Sequence, residues 1–468
     1  MRVPGPLATA ALLHGAGVAA FCLPGPFAVG QVEAPVAFVN VNVLPMDREQ
    51  VLEGYTVLVE GGLISEMAPA HRVRVPYDAK RIPGEGLFLM PGLADMHAHF
   101  PETGASSDRI EDLFFLFLAN NITVIRGMSG ASSHLDLRAQ TASGRMLGPT
   151  LYLGAPPLSG DNARSPDSAE RLLQAHRSAG YNFQKILPGV PLESWDRLAS
   201  SAHSMGFTFG GHIPEDVGLR HALSTGISVV DHLDGYLEEV VSDEVQARRR
   251  RGEDVSLGEA LASVRARKMR AIAAHTRSSN AWVVPTLQVM ENQVRGLDVD
   301  SVLALPEMDY VSAEMRRAWV RQKAGRRAEE PEVAEALTHV RGRILRALQM
   351  AGVGILMGTD SPQMFNVPGF SLRHEIRSMS AAGLTPYEIL VSGTRNVATY
   401  VREELLRDGN FGTVETGNRA DLVLLRNNPL ENLDHLWDQE GVMVRGRWIS
   451  RAEIDDELAR IAEENRGG

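Results

Sequence analysis

Two histidines one residue apart, His97 and His99, close the stretch Met90-Pro91-Gly92-Leu93-Ala94-Asp95-Met96-His97-Ala98-His99-Phe100. The apolar run before them reads as a short strand, and side chains two apart on a strand project to the same side. Both imidazoles can therefore meet one point, and imidazole is the commonest protein ligand for zinc and its neighbours. A His-x-His pair alone is a weak signal, since any strand can end in polar residues. Lys185, His212, His232 and Asp360 also stand at the downstream ends of apolar runs. Imidazole, amine and carboxylate together make a set suited to divalent cations. A protonated ammonium cannot ligate a cation. Burial near positive charge lowers a lysine pKa, and the neutral amine can capture carbon dioxide as a carbamate, an anion able to bridge two metals. The plainer use of Lys185 is a salt bridge inside the fold.

These residues need a frame that brings strand ends together. Strand-like runs occur at Asn121–Met128, Thr150–Ala155, Asn182–Leu187, Phe207–His212, Ile227–His232, Trp282–Leu287 and Gly354–Gly358, after the one that ends at His97. Helical patterns lie between them, as at Asp167–Ser178, Leu192–Met205 and Pro214–Leu223. Such alternation predicts an α/β fold, a TIM-like (β/α)8 barrel, whose chemistry sits at the C-terminal ends of the strands. Most other histidines (His176, His203, His221, His275 and His339) fall on helical patterns and read as packing or surface residues.

The two ends have a different texture. Val36–Val43 and Tyr55–Glu60, the latter followed by Gly61-Gly62, read as β-structure with a hairpin turn, and Asp421–Leu425 and Gly441–Gly446 read as strands near the other terminus. The expected organisation is a small β-domain built from residues 31–90 and 409–468, the latter with a terminal helix, around a barrel at 91–408. Residues 1–30 read as a signal peptide, with Arg2, an apolar run from Ala8 to Phe21 and Ala28-Val29-Gly30 as a cleavage pattern before Gln31. Export to the periplasm or exterior is the matching expectation, with no stable membrane anchor after removal; if the segment is not a signal peptide, the expectation is a cytoplasmic protein. The sole cysteine, Cys22, lies in this segment, so the mature chain would carry neither disulfides nor thiol catalysis. A net charge of −11 argues against a nucleic-acid partner. The basic run Arg248 to Arg251 is flanked by Glu238, Glu239, Asp243, Glu244, Glu253 and Asp254 and reads as a solvated helical face.

The ordered set of strand-end residues resembles the amidohydrolase superfamily. Pro91 to His99 is similar to its opening motif, Gly358-Thr359-Asp360 to its eighth strand, and Gly417-Asn418-Arg419-Ala420-Asp421-Leu422-Val423 to its closing β-segment. Tyr181-Asn182-Phe183-Gln184-Lys185-Ile186 and Gly211-His212-Ile213-Pro214 resemble the branch of imidazolonepropionase-like proteins and metal-dependent Xaa-Pro dipeptidases (prolidase-like). The resemblance implies two Zn2+ per chain: His97, His99 and Asp360 on one, His212 and His232 on the other, and Lys185, carbamylated by CO2, between them. Bound metal brings the pKa of water from about 16 towards 7 and polarises a carbonyl. Asp360 would act as base and then acid in hydrolysis of an amide-type C–N bond.

A mononuclear ring-opening or deaminating enzyme is the alternative, with Glu215 as its acid, although Pro214-Glu215-Asp216 also reads as the acidic start of a helix. A metal-free scaffold on the same barrel is a further reading from another class. Tyr236 could donate its phenol to an oxyanion or substrate carboxylate, or simply pack as an aromatic under the following loop. Arg126 could pair with a substrate carboxylate or form a structural ion pair. Charged helical insertions at Leu237–Arg277 and Val289–Met350 are expected to cap the active face and favour a small-molecule substrate: a dipeptide such as Xaa-Pro or an N-acyl amino acid. A homo-oligomer is compatible with all of this.

Overall fold

The computed structural model describes residues 34–101 and 107–467; the segment read as a signal peptide, with Cys22, lies outside them. The first strands are β1 (Val36–Val43), β2 (Leu52–Glu60), β3 (Leu63–Pro69), β4 (Lys80–Pro83) and β5 (Phe88–Pro91). There follow β6 (Leu93–Ala98), β7 (Ile122–Gly127), β8 (Thr150–Leu153), β9 (Gln184–Ile186), β10 (Phe209–Gly211), β11 (Val229–Asp231) and β12 (Trp282–Val284). The chain closes with β13 (Leu422–Leu425), β14 (Gln439–Val444) and β15 (Arg447–Ser450).

Strands from both ends share one eight-stranded sheet, ordered β15-β14-β13-β5-β1-β2-β3 with β4 beside β1. The join is the antiparallel pair β5–β13, with Met90 opposite Val423 and Pro91 opposite Leu422. Alternating residues of these strands, among them Phe38, Val57, Ile64, Leu89, Leu422, Leu424 and Met443, form its own apolar cluster.

The middle of the chain makes two parallel sheets, β6-β7-β8 and β12-β11-β10-β9, each strand leading into a helix as the alternation predicts. Single parallel bridges join Gly154 to Phe183, Val283 to Ile355 and Ala98 to Ser361. The run Gly354–Gly358, expected as a full strand, contributes only such contacts. Leu356 N–H donates to Val283 and Met357 N–H to Ser392, while Met357 O accepts from Met96. The expected strands at 182–187, 207–212, 227–232 and 282–287 are trimmed to three residues each, because their ends turn out of the ladder into loops.

One face of these sheets carries Ala94, Met96, Val124, Met128, Tyr152, Phe183, Val229, Val284 and Leu356, packed on Val397, Tyr400 and Val401 from helix Arg395–Glu403. The other face, with Leu93, Ile122, Ile125, Leu151, Leu153, Ile186, Val230, Val283 and Ile355, packs against the surrounding helices. Burial on both faces is what parallel sheets require. Helices also fill the two long insertions, including Ala266–Ser278, Leu287–Val294 and Pro331–Met350. Among the described residues no helix is long and apolar enough to cross a membrane.

Candidate metal centre

The two-residue period of the strands fixes where charge enters the interior. Val124, Phe183 and Val229 lie in the inner apolar cluster, so Arg126, Lys185 and Asp231, each two residues on, project the same way. Asp231 is the meeting point. Its Oδ2 lies 3.3 Å from Lys185 Nζ and 3.3 Å from His97 Nδ1, and its Oδ1 accepts from Arg126 Nη1 at 3.3 Å. All four side chains are essentially sealed from solvent, at 0–1% exposure. Arg126 also donates to the Met96 carbonyl at 3.0 Å, and its guanidinium lies 4.4 Å over the Phe183 ring. It is thus a structural ion pair inside the fold. Burial alone would raise Asp231, but Arg126, His97 and Lys185 outweigh it and hold the carboxyl well below the usual range. Burial pulls Lys185 down; Asp231 opposes that and Arg126 reinforces it.

Asp360 joins the histidines. Its Oδ1 is 2.9 Å from His99 Nε2 and 3.5 Å from His97 Nε2, and its Oδ2 is 3.9 Å from the His232 ring at Nδ1. The rings of His97 and His232 have centroids 4.5 Å apart, and His212 stacks on His232 at 4.5 Å and 29°. One ligand-type atom from each of His97, His232 and Asp360 lies within 4.8 Å of the others. The structure therefore gathers His97, His99, His232, His212 and Asp360, with Lys185 reached through Asp231.

Three of the four rings meet a neighbour at Nδ1. His97 has Asp231, His212 has Asp234 Oδ2 at 2.7 Å, and His232 has Thr286 Oγ1 at 2.8 Å. Such outer contacts orient metal-ligating imidazoles and leave the other nitrogen free. Asp95, one turn of the pleat before His97, ties the two halves together. It accepts from His97 N–H at 3.1 Å, Thr359 N–H at 3.0 Å and Thr359 Oγ1 at 2.5 Å, next to Asp360. Burial nevertheless pushes Asp95 up to about 7. His232 and Asp360 hold φ of +61° and +63°, left-handed values rare for such residues and common where a site over-determines the backbone.

The donor set fits a divalent cation. Burial, helped by Lys185, pushes His97 down to about 4, and burial with the neighbouring His97 holds His232 well below its ordinary value. Both rings stay neutral at pH 7, as ligands must. Against its burial, the His97 imidazole and the His99 hydrogen bond keep Asp360 ionised, well below the usual carboxylate range. His97 Nδ1 is also a buried ring atom that makes no aligned hydrogen bond despite its approach to Asp231.

One expectation needs revision. Tyr236 is fully buried with its hydroxyl 2.9 Å from Thr276 Oγ1 on helix Ala266–Ser278. The turn at Leu233 and Gly235, both at positive φ, carries it away from His232 into helix packing, and burial pushes the phenol well above its ordinary value, far from use as an acid. Of the two readings of Arg126, the structural ion pair is the one found, with Asp231. Glu215 is exposed on the turn before helix Gly218–Ser224. Asp231 was not foreseen as a site residue; the signal was a carboxylate inside the otherwise apolar run Ile227–His232.

Residues 88–449 match the amidohydrolase family, and the chain belongs to it. It is a hydrolase acting on carbon–nitrogen bonds. Among solved structures, a bottromycin amidohydrolase aligns with TM-score 0.70 and 22% identity, covering 92% of this chain and 90% of that one. A Xaa-Pro dipeptidase with bound methionine aligns with TM-score 0.61 and 17% identity, over 89% of this chain and 100% of that one. The ochratoxinase of A. niger aligns with TM-score 0.61 and 15% identity, over 89% and 96%. This likeness is one of fold, a TIM-barrel-like α/β arrangement. No curated protein matches the chain.

Proposed function

We propose that this protein is a metal-dependent hydrolase of an amide-type C–N bond in a small substrate, a dipeptide such as Xaa-Pro or an N-acyl amino acid. The observation that carries the reading is the convergence of His97, His232 and Asp360 within 4.8 Å, flanked by His99 and His212. In this reading the three bridges close the two parallel sheets and Gly354–Ser361 into a (β/α)8 ring, with the sheet of 31–90 and 409–468 as a small β-domain beside 91–408. His97, His99 and Asp360 would hold one Zn2+, His212 and His232 a second, and carbamylated Lys185 would lie between them. When bound, the metal supplies a lowered water pKa and polarisation of the scissile carbonyl. The chain's own part follows from its geometry. Asp231, Asp234 and Thr286 keep the rings in one orientation. Asp360, ionised beside His99, takes the proton of the attacking water and returns it to the departing amine.

A second reading, one metal with ring opening or deamination, draws support from the Lys185–Asp231 ion pair, which uses the lysine as an ammonium. Metal analysis joined to a panel of dipeptides, acyl amino acids and cyclic amides separates the two. Two ions per chain, CO2-dependent turnover of the acyclic amides, and loss of both metal and activity in Lys185→Ala are expected. One ion with unchanged occupancy in Lys185→Ala would favour the second reading, and turnover indifferent to chelators would end both.

A further inference from the structure

Helix Leu287–Val294 is capped in an unusual way. Thr286 stands at its N-cap, where a threonine hydroxyl normally accepts from an N–H of the first turn. Here it makes no such bond, because Oγ1 is turned to His232 Nδ1 at 2.8 Å. The N–H groups of Leu287 and Gln288 donate instead to Glu375, at 2.9 Å to Oε1 and 2.8 Å to Oε2. Glu375 lies on a distant helix, Ser371–Ala381, and is completely buried. Arg341 adds a third hold on the same turn, donating Nη2 to the Pro285 carbonyl at 3.1 Å.

Thr286 requires this grip. Its φ is +40°, a left-handed value that a β-branched side chain resists. Such a conformation is strained and persists only where the surroundings impose it. A carboxyl group buried so deeply that its pKa is pushed up to about 8 would be a costly substitute for the threonine already in place if it did no more than cap an eight-residue helix. The exchange makes sense if the hydroxyl is needed elsewhere.

Resting on the reading of the histidine cluster as a metal centre, we propose that Glu375 is a positioning residue for it. By gripping the Leu287 and Gln288 amides it holds Thr286 in the left-handed turn, and Thr286 in turn fixes the His232 ring through Nδ1 and leaves Nε2 as its free nitrogen. Glu375 touches neither metal ligand nor substrate and acts only through Thr286.

The test is Zn2+ affinity, measured on chelator-stripped protein by competition with a chromogenic chelator, alongside the melting temperature of the same metal-free samples. Wild type, Glu375→Gln, Thr286→Val and the double variant are compared. Each single change is expected to weaken Zn2+ binding by about ten- to a hundredfold, the size typical of outer-shell ligand partners. The double variant should bind within about twofold of Thr286→Val, since both changes cut one connection. Thr286→Ser, which keeps the hydroxyl, should bind as wild type does. Should Glu375→Gln fail to fold, Glu375→Asp, with its carboxylate withdrawn by one methylene, is expected to weaken binding in the same direction. A Glu375 variant that melts lower yet binds Zn2+ like wild type would overturn the proposal, as would losses that multiply in the double variant. Failure of wild type itself to bind Zn2+ would overturn the metal centre, a result read before any variant is made.

Discussion

Asp231 balances two buried cations and one imidazole, and it was the hardest site residue to see in the sequence. His97, His99, His212, His232 and Asp360 stood out because each ends an apolar run and their types share one chemistry. Asp231 lies inside such a run, one residue before His232, where attention to strand ends passes over it. Its legible sign was a charge in a strand buried on both faces, which demands a partner of opposite sign; Arg126, inside β7, is that partner. Replacing Asp231 with asparagine would leave Arg126 and Lys185 unopposed, and breaking a buried pair from one side costs about 3–5 kcal/mol. A large fall in denaturation midpoint is expected; a midpoint unchanged from wild type would mean that the carboxylate carries no such burden. The histidines make a second prediction. Folded His97 takes up its proton only near pH 4, against an ordinary 6.5, so between those values the unfolded chain binds more protons. His97 should therefore take stability from the metal-free protein as pH falls from about 6.5 towards 4, while buried Asp95, pushed up to about 7, works the other way over the same range. Thermal melts isolate the His97 share as a difference: relative to His97→Asn, wild type should lose ground as pH falls from about 6.5 to 4, and parallel profiles would contradict it.

At the level of elements, the alternation of strand and helix was readable because parallel strands leave long apolar runs. What could not be read was how short the ladders are. Each of β9 to β12 pairs over only three residues before its end becomes a loop bearing function. Nor was the course of the chain after β11 legible: two consecutive left-handed residues, His232 and Leu233, redirect it, so Tyr236 is near His232 in sequence and engaged elsewhere in space. The helical insertion after β12 does more than cover. Gln288 donates to Asn292, Asn292 to Asn366 Oδ1 at 3.1 Å, and Asn366 to the Thr359 carbonyl at 2.9 Å, next to Asp360. One helix thus reaches His232 from its first turn and Asp360 from its middle. Asn366→Ala should strand the Thr359 carbonyl and the Asn292 amide, costing about 1–3 kcal/mol. Chemical denaturation would measure that loss, and a cost near zero would show that water replaces the amide.

For the molecule as a whole, similar texture at the two termini pointed to a shared β-unit, and strands from both ends do pair in one sheet. Strand order and the β5–β13 register were beyond the sequence, since short alternating strands fit many partners. A chain ending at Asn410 would lack β13 to β15 and leave β5 without its antiparallel neighbour. It is expected to lose cooperative unfolding, and a sharp two-state melt from that truncation would contradict the pairing's importance. Gly92 alone separates β5 from β6, and its N–H donates to the Asp421 carbonyl at 2.9 Å. During synthesis, then, the first histidine pair emerges long before β13, the neighbour of the strand it hangs from, which is made only after the whole α/β middle. The site cannot settle piecemeal behind the ribosome; it must wait for β13, and until then the nascent chain offers an open sheet edge that chaperones would have to shield.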